Sequence, residues 1–222
     1  MARISKILFL VSGNGGTLKC LHQSIPYLAS KFQIVAAISD RDCGAIDYMR
    51  NNGIPTLVFK DWKHSEDEVA ETIASYNPDV VVTNIHKVLS KTILLCNNAK
   101  YINLHYSLLP SYGGVIGFKT LEMAKNNNAK IIGATCHYVT EVLDGGSIIS
   151  QGAMAVDWND NIEAIGNSIF RIACKVFLSS LIYVANEESC CFASRDGNLY
   201  SPQLSFDDSF MTEDFWRLIA DL

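Results

Sequence analysis

Three polar residues in two separate stretches of the sequence could form a reactive site. Asn103 and His105 lie two residues apart at the end of an apolar segment. Side chains alternate across a strand, so both would project from one face, where an unsatisfied buried polar group costs about 1–3 kcal/mol. Asp144, which precedes two glycines, could supply a partner. The pattern fits a catalytic set, and it also fits a satisfied buried histidine and an ordinary turn.

A glycine-rich loop offers a second place for chemistry. It comprises Gly13, Asn14, Gly15, Gly16 and Thr17. Glycines allow close backbone approach, and the amide groups at a helix start bind anions without a basic side chain. We therefore predict that the loop binds a phosphate. A tight turn without a ligand is one alternative. A dinucleotide site is another: Asp40 suits it, but Leu18 stands where its fingerprint has a third glycine.

Short apolar runs alternate with helical patterns along the first hundred residues. The runs lie at residues 7–11, 34–38, 56–59, 80–82 and 101–105. This alternation predicts an α/β fold, with a mostly parallel twisted sheet and flanking helices. In such sheets, ligands bind outside the carboxyl ends of the strands. The glycine loop and the segment around His105 both fall at such ends.

The second half of the chain is predicted to continue the sheet and then to extend beyond it. Two strand-like segments, residues 131–138 and 147–156, flank the turn at Asp144, and a long helix is predicted over residues 161–185. Asp196-Gly197 indicates a hairpin turn between short strands. We predict a catalytic domain over residues 1–186. A C-terminal extension, residues 187–222, would pack on or beside it.

Composition limits the classes of function. With 49% hydrophobic and 18% charged residues among 222, the chain is predicted to be globular, as one domain with a short appendage. A net charge of −5 argues against nucleic acid or an anionic membrane as a partner. Seven scattered cysteines without a C-x-x-C motif predict reduced thiols rather than a zinc site. Without a recognisable signal peptide or spanning segment, we expect a cytoplasmic protein.

Two longer motifs resemble the signature of the folate-dependent formyltransferases. The first is Asn103-Leu104-His105-Tyr106-Ser107-Leu108-Leu109-Pro110, and the second covers residues 133–149. The opening segment, residues 11–18, is most similar to the phosphate loop of the glycinamide ribonucleotide enzymes of this family. The resemblance covers about residues 5–185 and implies a Rossmann-like formyltransferase fold.

The resemblance also implies roles for particular residues. Asn103, His105 and Asp144 would be catalytic, and Thr135 and His137 would support Asp144. The folate would bind at Lys87, Val88, Leu89, Val139, Thr140, Glu141 and Leu143. The implied reaction is attack of an amine on the formyl carbon of 10-formyltetrahydrofolate, and it requires no metal.

The chemistry of the implied reaction suits these residue types. Asn103 and protonated His105 would donate hydrogen bonds to the oxyanion of the tetrahedral intermediate. Asp144 would raise the pKa of His105 and relay the amine proton to the departing folate nitrogen.

The formyl acceptor is less well determined than the donor. A small phosphorylated amine, glycinamide ribonucleotide of purine biosynthesis, is the leading candidate. However, Tyr106 replaces the proline usual in those enzymes, and the loop after Pro110 lacks their histidine. A nucleotide-linked amino sugar is an alternative. Hydrolysis of 10-formyltetrahydrofolate is another, because residues 130–144 look closest to the deformylases, although those carry an extra N-terminal domain. We expect small-molecule partners and a monomer or homodimer.

Overall fold

Buried apolar runs form a parallel sheet in the first part of the chain. The computed structural model describes residues 3–29, 31–186 and 191–220. The first strands are β1 (Ser5–Val11), β2 (Phe32–Ser39), β3 (Thr56–Val58), β4 (Val80–Asn84) and β5 (Lys100–His105). They are parallel, in the order β3-β2-β1-β4-β5. The predicted mostly parallel sheet is confirmed.

Helices connect these strands. They are α1 (Gly16–Ser24), α2 (Gly44–Asn51), α3 (Glu66–Tyr76) and α4 (Lys91–Leu94). A strand covered on both faces needs apolar side chains at every position. Accordingly, four consecutive residues of β1, from Ile7 to Leu10, are fully buried. This is why the first run reads as continuous rather than alternating.

The residues cluster into two compact units. One comprises Met1–Asn103, Val184–Asn186 and Arg217–Leu222, and the other comprises Leu104–Tyr183 and Glu187–Trp216. The second unit contains α5 (Lys119–Asn126), β6 (Ile131–Tyr138), β7 (Ile148–Ala155) and β8 (Leu199–Ser201). β6 pairs antiparallel with β7, and β7 pairs antiparallel with β8. The predicted division after residue 186 stays a prediction, and residues 187–190 lie outside the described part of the chain.

The helix α6 (Ile162–Asn186) is the longest element. Among the described residues it alone is long and apolar enough to cross a membrane, but 72% of its most apolar stretch is buried inside the protein. That burial is typical of the core helix of a globular protein. The described cysteines are all free thiols, namely Cys20, Cys43, Cys96, Cys136, Cys174 and Cys191. Cys190 is not among the described residues.

A buried ion cluster holds the segment before α7 (Glu213–Ala220) against α6. The Lys175 Nζ lies 2.8 Å from Asp196 Oδ2 and 2.7 Å from Asp208 Oδ2. Burial acts to raise the pKa of Asp196, but hydrogen bonds from Lys175, the Asn198 backbone and Ser194 together outweigh it, so the pKa is lowered. The turn predicted at Asp196-Gly197 is present, with Gly197 at a φ of 73°, and Phe192 and Leu204 on either side of it form an isolated antiparallel bridge. The two short strands predicted to flank it do not pair as a tight hairpin, because β8 pairs with β7.

Candidate active site

Two imidazoles meet one carboxylate in the second unit. The Nδ1 atom of His105, at the end of β5, lies 3.3 Å from Asp144 Oδ2. The Nε2 atom of His137, on β6, lies 3.5 Å from Asp144 Oδ1. All three side chains are more than nine-tenths buried. Asn103 is half-buried and lies two residues before His105 on the same strand, so strand alternation places both on one face.

The turn that carries Asp144 explains the two glycines after it. Asp144 adopts a left-handed backbone conformation, with φ of 50°. A Cβ atom on Gly146 would lie 1.7 Å from the carbonyl oxygen of Tyr138, so only glycine fits there. The backbone N–H of Gly114 donates to Asp144 Oδ2 at 2.7 Å. The hydrogen bond from His137 lowers the pKa of Asp144, and the Gly114 amide adds to this against the effect of burial.

His105 lies between two oxygen acceptors. Its Nδ1 faces Asp144, and its Nε2 lies 3.1 Å from the carbonyl oxygen of Tyr112. Only the doubly protonated ring donates to both. Burial nevertheless lowers the pKa of His105, even though Asp144 and the Tyr112 carbonyl act to raise it. Asp144 therefore acts to raise the pKa of His105 as expected, but desolvation of the imidazolium lowers this pKa by more.

The two predicted supporting residues contact different parts of the site. His137 contacts Asp144, and its Nδ1 lies 2.9 Å from the carbonyl oxygen of Tyr138. The hydroxyl of Thr135 donates to the carbonyl of Ser107 at 2.7 Å and accepts from the N–H of Leu109 at 3.0 Å. Thr135 thus holds the turn that follows His105.

The glycine loop lies at the carboxyl end of β1, in the first unit. Gly15 has a φ of 72°, and α1 begins at the next residue. A Cβ atom on Gly15 would lie 2.6 Å from the Cβ of Ala45. The first turn of α1 contains no acidic residue, so its amide groups present an unopposed positive end. This geometry suits the predicted phosphate, and it also suits a tight turn without a ligand.

The carboxylate of Asp40 is occupied by hydrogen bonds and ion pairs with neighbouring side chains. Its carboxylate accepts from the Ser12 hydroxyl at 2.7 Å and from Arg41 Nε and Nη2 at 3.0 and 2.7 Å, and Lys87 Nζ lies 3.6 Å away. Burial works to raise the pKa of Asp40, but the hydrogen bonds from Arg41 and Ser12 hold it at about 2. An acid occupied in this way is poorly suited to accept from a ribose hydroxyl, which speaks against the dinucleotide alternative.

We predict that Asp40→Asn lowers the free energy of unfolding near pH 7 by about 2 kcal/mol. The folded pKa of about 2 lies below the ordinary value of 3.8. The stabilisation is therefore present above that ordinary value and is lost as the pH falls toward the folded one. Urea unfolding of wild type and variant near pH 7 and near pH 2.5 measures the difference, which should shrink in acid. Asp47→Asn, at an exposed carboxylate of the same unit, is the control, and equal losses in the two variants would contradict the assignment.

The residues predicted to bind folate fall in both units. Lys87 pairs with Asp40, Val88 is 61% exposed and Leu89 is buried. In the second unit, Leu143 is 57% exposed. The remaining members are the half-buried Val139 and the exposed Thr140 and Glu141. Exposed apolar side chains suit a planar ring as partner, and the assignment of all seven residues stays a prediction.

A cavity of about 110 Å³ lies in the second unit, lined mainly by apolar side chains that include Leu121, Ile132 and Ile169. Sites for small-molecule ligands typically measure about 300–1,000 Å³. None of the predicted catalytic residues lines the cavity. The cavity is therefore too small to be the folate site. Across residues 3–29, 31–186 and 191–220, no group of three or more His, Cys, Asp or Glu residues is placed to hold a metal ion.

Sequence reasoning missed two backbone groups that contact the pair of His105 and Asp144. They are the carbonyl of Tyr112 and the N–H of Gly114. Neither depends on side-chain identity, so motif reading does not find them. The only available signal was the glycine pair 113–114 in the loop after Pro110, because glycines often mark close backbone approach.

Comparison with known proteins identifies the family of the chain. Residues 5–181 match the formyl transferase family. The phosphoribosylglycinamide formyltransferase of Escherichia coli is 31% identical over 168 residues, which cover 71% of this chain and 78% of that protein. The formyltetrahydrofolate deformylase of Bacillus subtilis is 30% identical over 190 residues, with 79% and 62% covered. The chain spans only 18% of the bovine trifunctional purine biosynthetic protein adenosine-3, to which it is 30% identical over 189 residues.

Solved structures agree with this match. The phosphoribosylglycinamide formyltransferase of Coxiella burnetii superposes with a TM-score of 0.75 at 26% identity, covering 83% of this chain and 89% of that one. The predicted Rossmann-like formyltransferase fold is thereby confirmed, and so is the prediction of a formyl-transferring enzyme at the level of the family. Because the family match runs from β1 into α6, the chain belongs to the formyl transferase family.

Proposed function

We propose that the protein transfers the formyl group of 10-formyltetrahydrofolate to the primary amine of glycinamide ribonucleotide. The observation that carries this proposal is the 3.3 Å contact between His105 and Asp144 at the end of β5, in a chain of the formyl transferase family. The relative from Escherichia coli is named for the same acceptor. The glycine loop supports the choice, because it offers amide groups to a substrate phosphate.

In the proposed mechanism, His105 and Asn103 stabilise the oxyanion that develops on the formyl group. The amide of Asn103 and the Nε2–H of His105 donate to this oxygen, and one such donor is typically worth about 2.7–4 kcal/mol of barrier. Asp144 stays ionised because its pKa is lowered by His137 and Gly114. Its carboxylate is therefore available to stabilise protonated His105 and to relay the proton of the attacking amine to the folate nitrogen, which leaves as its bond to the formyl carbon breaks.

The direct test is incubation of the protein with 10-formyltetrahydrofolate and a panel of amines that includes a reaction without amine. Release of the folate product, followed by absorbance, reports turnover. We expect turnover that depends on glycinamide ribonucleotide and is weak with the other amines. Turnover that needs a nucleotide-linked amino sugar instead would replace the proposed acceptor, and no turnover with any amine would refute the proposal.

The glycine loop provides a separate prediction about the amine substrate. Gly15→Ala should weaken binding of glycinamide ribonucleotide by about tenfold or more and leave folate affinity almost unchanged, because the new side chain meets Ala45 and displaces the amide groups. Isothermal titration with each substrate measures both affinities. Gly53→Ala is the matched control, since Gly53 also has a positive φ, of 69°, in the same unit but faces open space.

A second variant separates strain from ligand contact. Gly15→Ala combined with Ala45→Gly removes the close contact between the two Cβ atoms, so amine binding should partly return. If Gly15→Ala lowers the affinities for amine and folate together, the loop is structural and holds no phosphate.

Hydrolysis of 10-formyltetrahydrofolate is the second candidate function. It is favoured by the 30% identity to the deformylase of Bacillus subtilis. A hydrolase would release the folate product in the reaction without amine, at a rate that added glycinamide ribonucleotide does not raise. The reaction without amine therefore decides between the two activities.

The proposed partners are small molecules, the folate and the amine. We propose that nucleic acid and membranes are not partners, in line with the net charge of −5. A cytoplasmic location and a monomeric or homodimeric state complete the proposal.

A further inference from the structure

The turn after His105 is held by one hydroxyl group that uses its full hydrogen-bonding capacity. Thr135 Oγ1 donates to the carbonyl of Ser107 and accepts from the N–H of Leu109 and from Gln151 Nε2, at 2.7, 3.0 and 3.0 Å. A hydroxyl has one donor and two acceptor sites. Thr135 is completely buried, so water does not replace any of these bonds.

Gln151 closes the network from the neighbouring strand. It lies directly opposite Thr135 in the antiparallel pairing of β6 and β7. Its Nε2 donates one hydrogen to Thr135 Oγ1 and the other to the carbonyl of Leu109, at 3.0 and 3.1 Å. Both amide hydrogens of Gln151 are therefore used on the turn or on the residue that holds it.

We propose that Gln151 is a positioning residue of the formyl transfer reaction, acting through Thr135 and Leu109 on the turn that follows His105. The proposal rests on the proposed function for its effect on catalysis. Gln151 itself contacts neither His105 nor Asp144 through any of these bonds. It fixes the backbone that leads from His105 to Tyr112, and the Tyr112 carbonyl in turn faces the His105 Nε2.

The turn needs such a clamp because its peptide groups are buried. Ser107 and Leu109 are 5% and 6% exposed. Without Gln151, the carbonyl of Leu109 would lose its side-chain donor, and a buried unsatisfied acceptor drives local rearrangement. Displacement of a reacting group by about 1 Å can lower a rate by about 100-fold. A shift of the turn therefore reaches the ring of His105 through the chain on one side and through Tyr112 on the other.

The test replaces Gln151 by methionine, which keeps the length of the side chain and removes both donors. We expect the turnover number per folded protein to fall by about 10- to 100-fold. The Michaelis constants for both substrates should stay within about twofold of wild type, because the hydrogen bonds of Gln151 go to Thr135 and Leu109 and not to a residue predicted to bind folate or phosphate. Thr135→Val should give a similar loss. The double variant should lose little more than either single one, since both side chains hold the same turn.

Ser150→Ala is the matched control. Ser150 is the preceding residue of β7, points to the opposite face and is equally committed, with hydrogen bonds to the carbonyl of Val176 at 3.2 Å and to Ser180 Oγ at 2.6 Å. This variant should lose stability in urea unfolding and keep the turnover number of wild type. Equal turnover losses in Ser150→Ala and Gln151→Met would show a general effect on the unit and overturn the proposal.

A measurement without substrate separates this proposal from the proposed function. The carbonyl of Tyr112 acts to raise the pKa of His105, so loosening the turn should lower the midpoint of the His105 titration in Gln151→Met below that of wild type. NMR of histidine labelled with ¹³C reports this midpoint, and the signal is assigned by its loss in His105→Ala. An unchanged midpoint in Gln151→Met overturns the proposal even if the enzyme is active. If wild type transfers no formyl group, a shifted midpoint still supports the positioning of His105 by Gln151, and only the catalytic consequence falls with the proposed function.

Discussion

We expect His105→Ala to lower the turnover number of formyl transfer by about 100-fold or more. The variant removes the proposed donor to the formyl oxygen and leaves Asp144 without the imidazole 3.3 Å away. Steady-state rates with saturating 10-formyltetrahydrofolate and glycinamide ribonucleotide measure the loss. The expected loss lies in the turnover number, because the hydrogen bond is stronger to an oxyanion than to a neutral carbonyl.

An exposed histidine–aspartate pair elsewhere in the chain serves as the control for this experiment. His64 Nδ1 lies 2.8 Å from Asp61 Oδ1, but both side chains are more than 70% exposed. His64→Ala should therefore keep the turnover number of wild type. Near-normal activity in His105→Ala, or an equal loss in His64→Ala, would remove His105 from the proposed mechanism.

Asp144→Asn is expected to cost about 100-fold or more in turnover, with a well-folded protein. The amide oxygen still accepts from the N–H of Gly114, so the turn is retained, but the negative charge that stabilises protonated His105 is lost. Stopped assays of formylated product compare the variant with wild type. The unfolding midpoint in urea shows whether the fold is intact.

The outcome of the Asp144 variant also tests whether the carboxylate acts through His105. If the carboxylate only held the turn, Asp144→Asn would keep the turnover number, because the Gly114 contact survives. Asp61→Asn, at the exposed pair, should leave turnover unchanged. A loss in Asp144→Asn that disappears at high pH would mean that the carboxylate acts on the protonation of the amine alone, and the relay through His105 would be wrong.

The parts of the fold that follow from local chemistry were predictable. β1 is buried on both faces and therefore reads as an uninterrupted apolar run. The turn at Asp144 needs Gly146 because Tyr138 leaves no room for a Cβ atom. Alternation within β5 placed Asn103 and His105 on one face without any knowledge of the partner strands.

The parts that depend on long-range packing were not predictable. Local pattern predicted the turn at Asp196, but not that β8 pairs with β7 or that the Asp196 carboxylate binds Lys175, 21 residues earlier in the chain. The role of Gln151 follows from its position opposite Thr135, which only the register of two strands reveals. The sequence predicts that Asp144 raises the pKa of His105. The net lowering of this pKa depends on how deeply the His105 ring is buried, which the sequence does not show.

The carbonyl of Tyr112 competes with substrate oxygen atoms for the hydrogen bond from His105 Nε2. Because both ring nitrogens already face oxygen atoms of the protein, a resting formyl group that reaches Nε2 exchanges one neutral acceptor for another and gains little affinity. An oxygen that has taken on negative charge competes far better with the peptide carbonyl, since charged acceptors form hydrogen bonds roughly twice as strong. In the proposed mechanism, competition with the Tyr112 carbonyl therefore weakens binding of the ground state and makes the transition state the species that His105 binds most tightly.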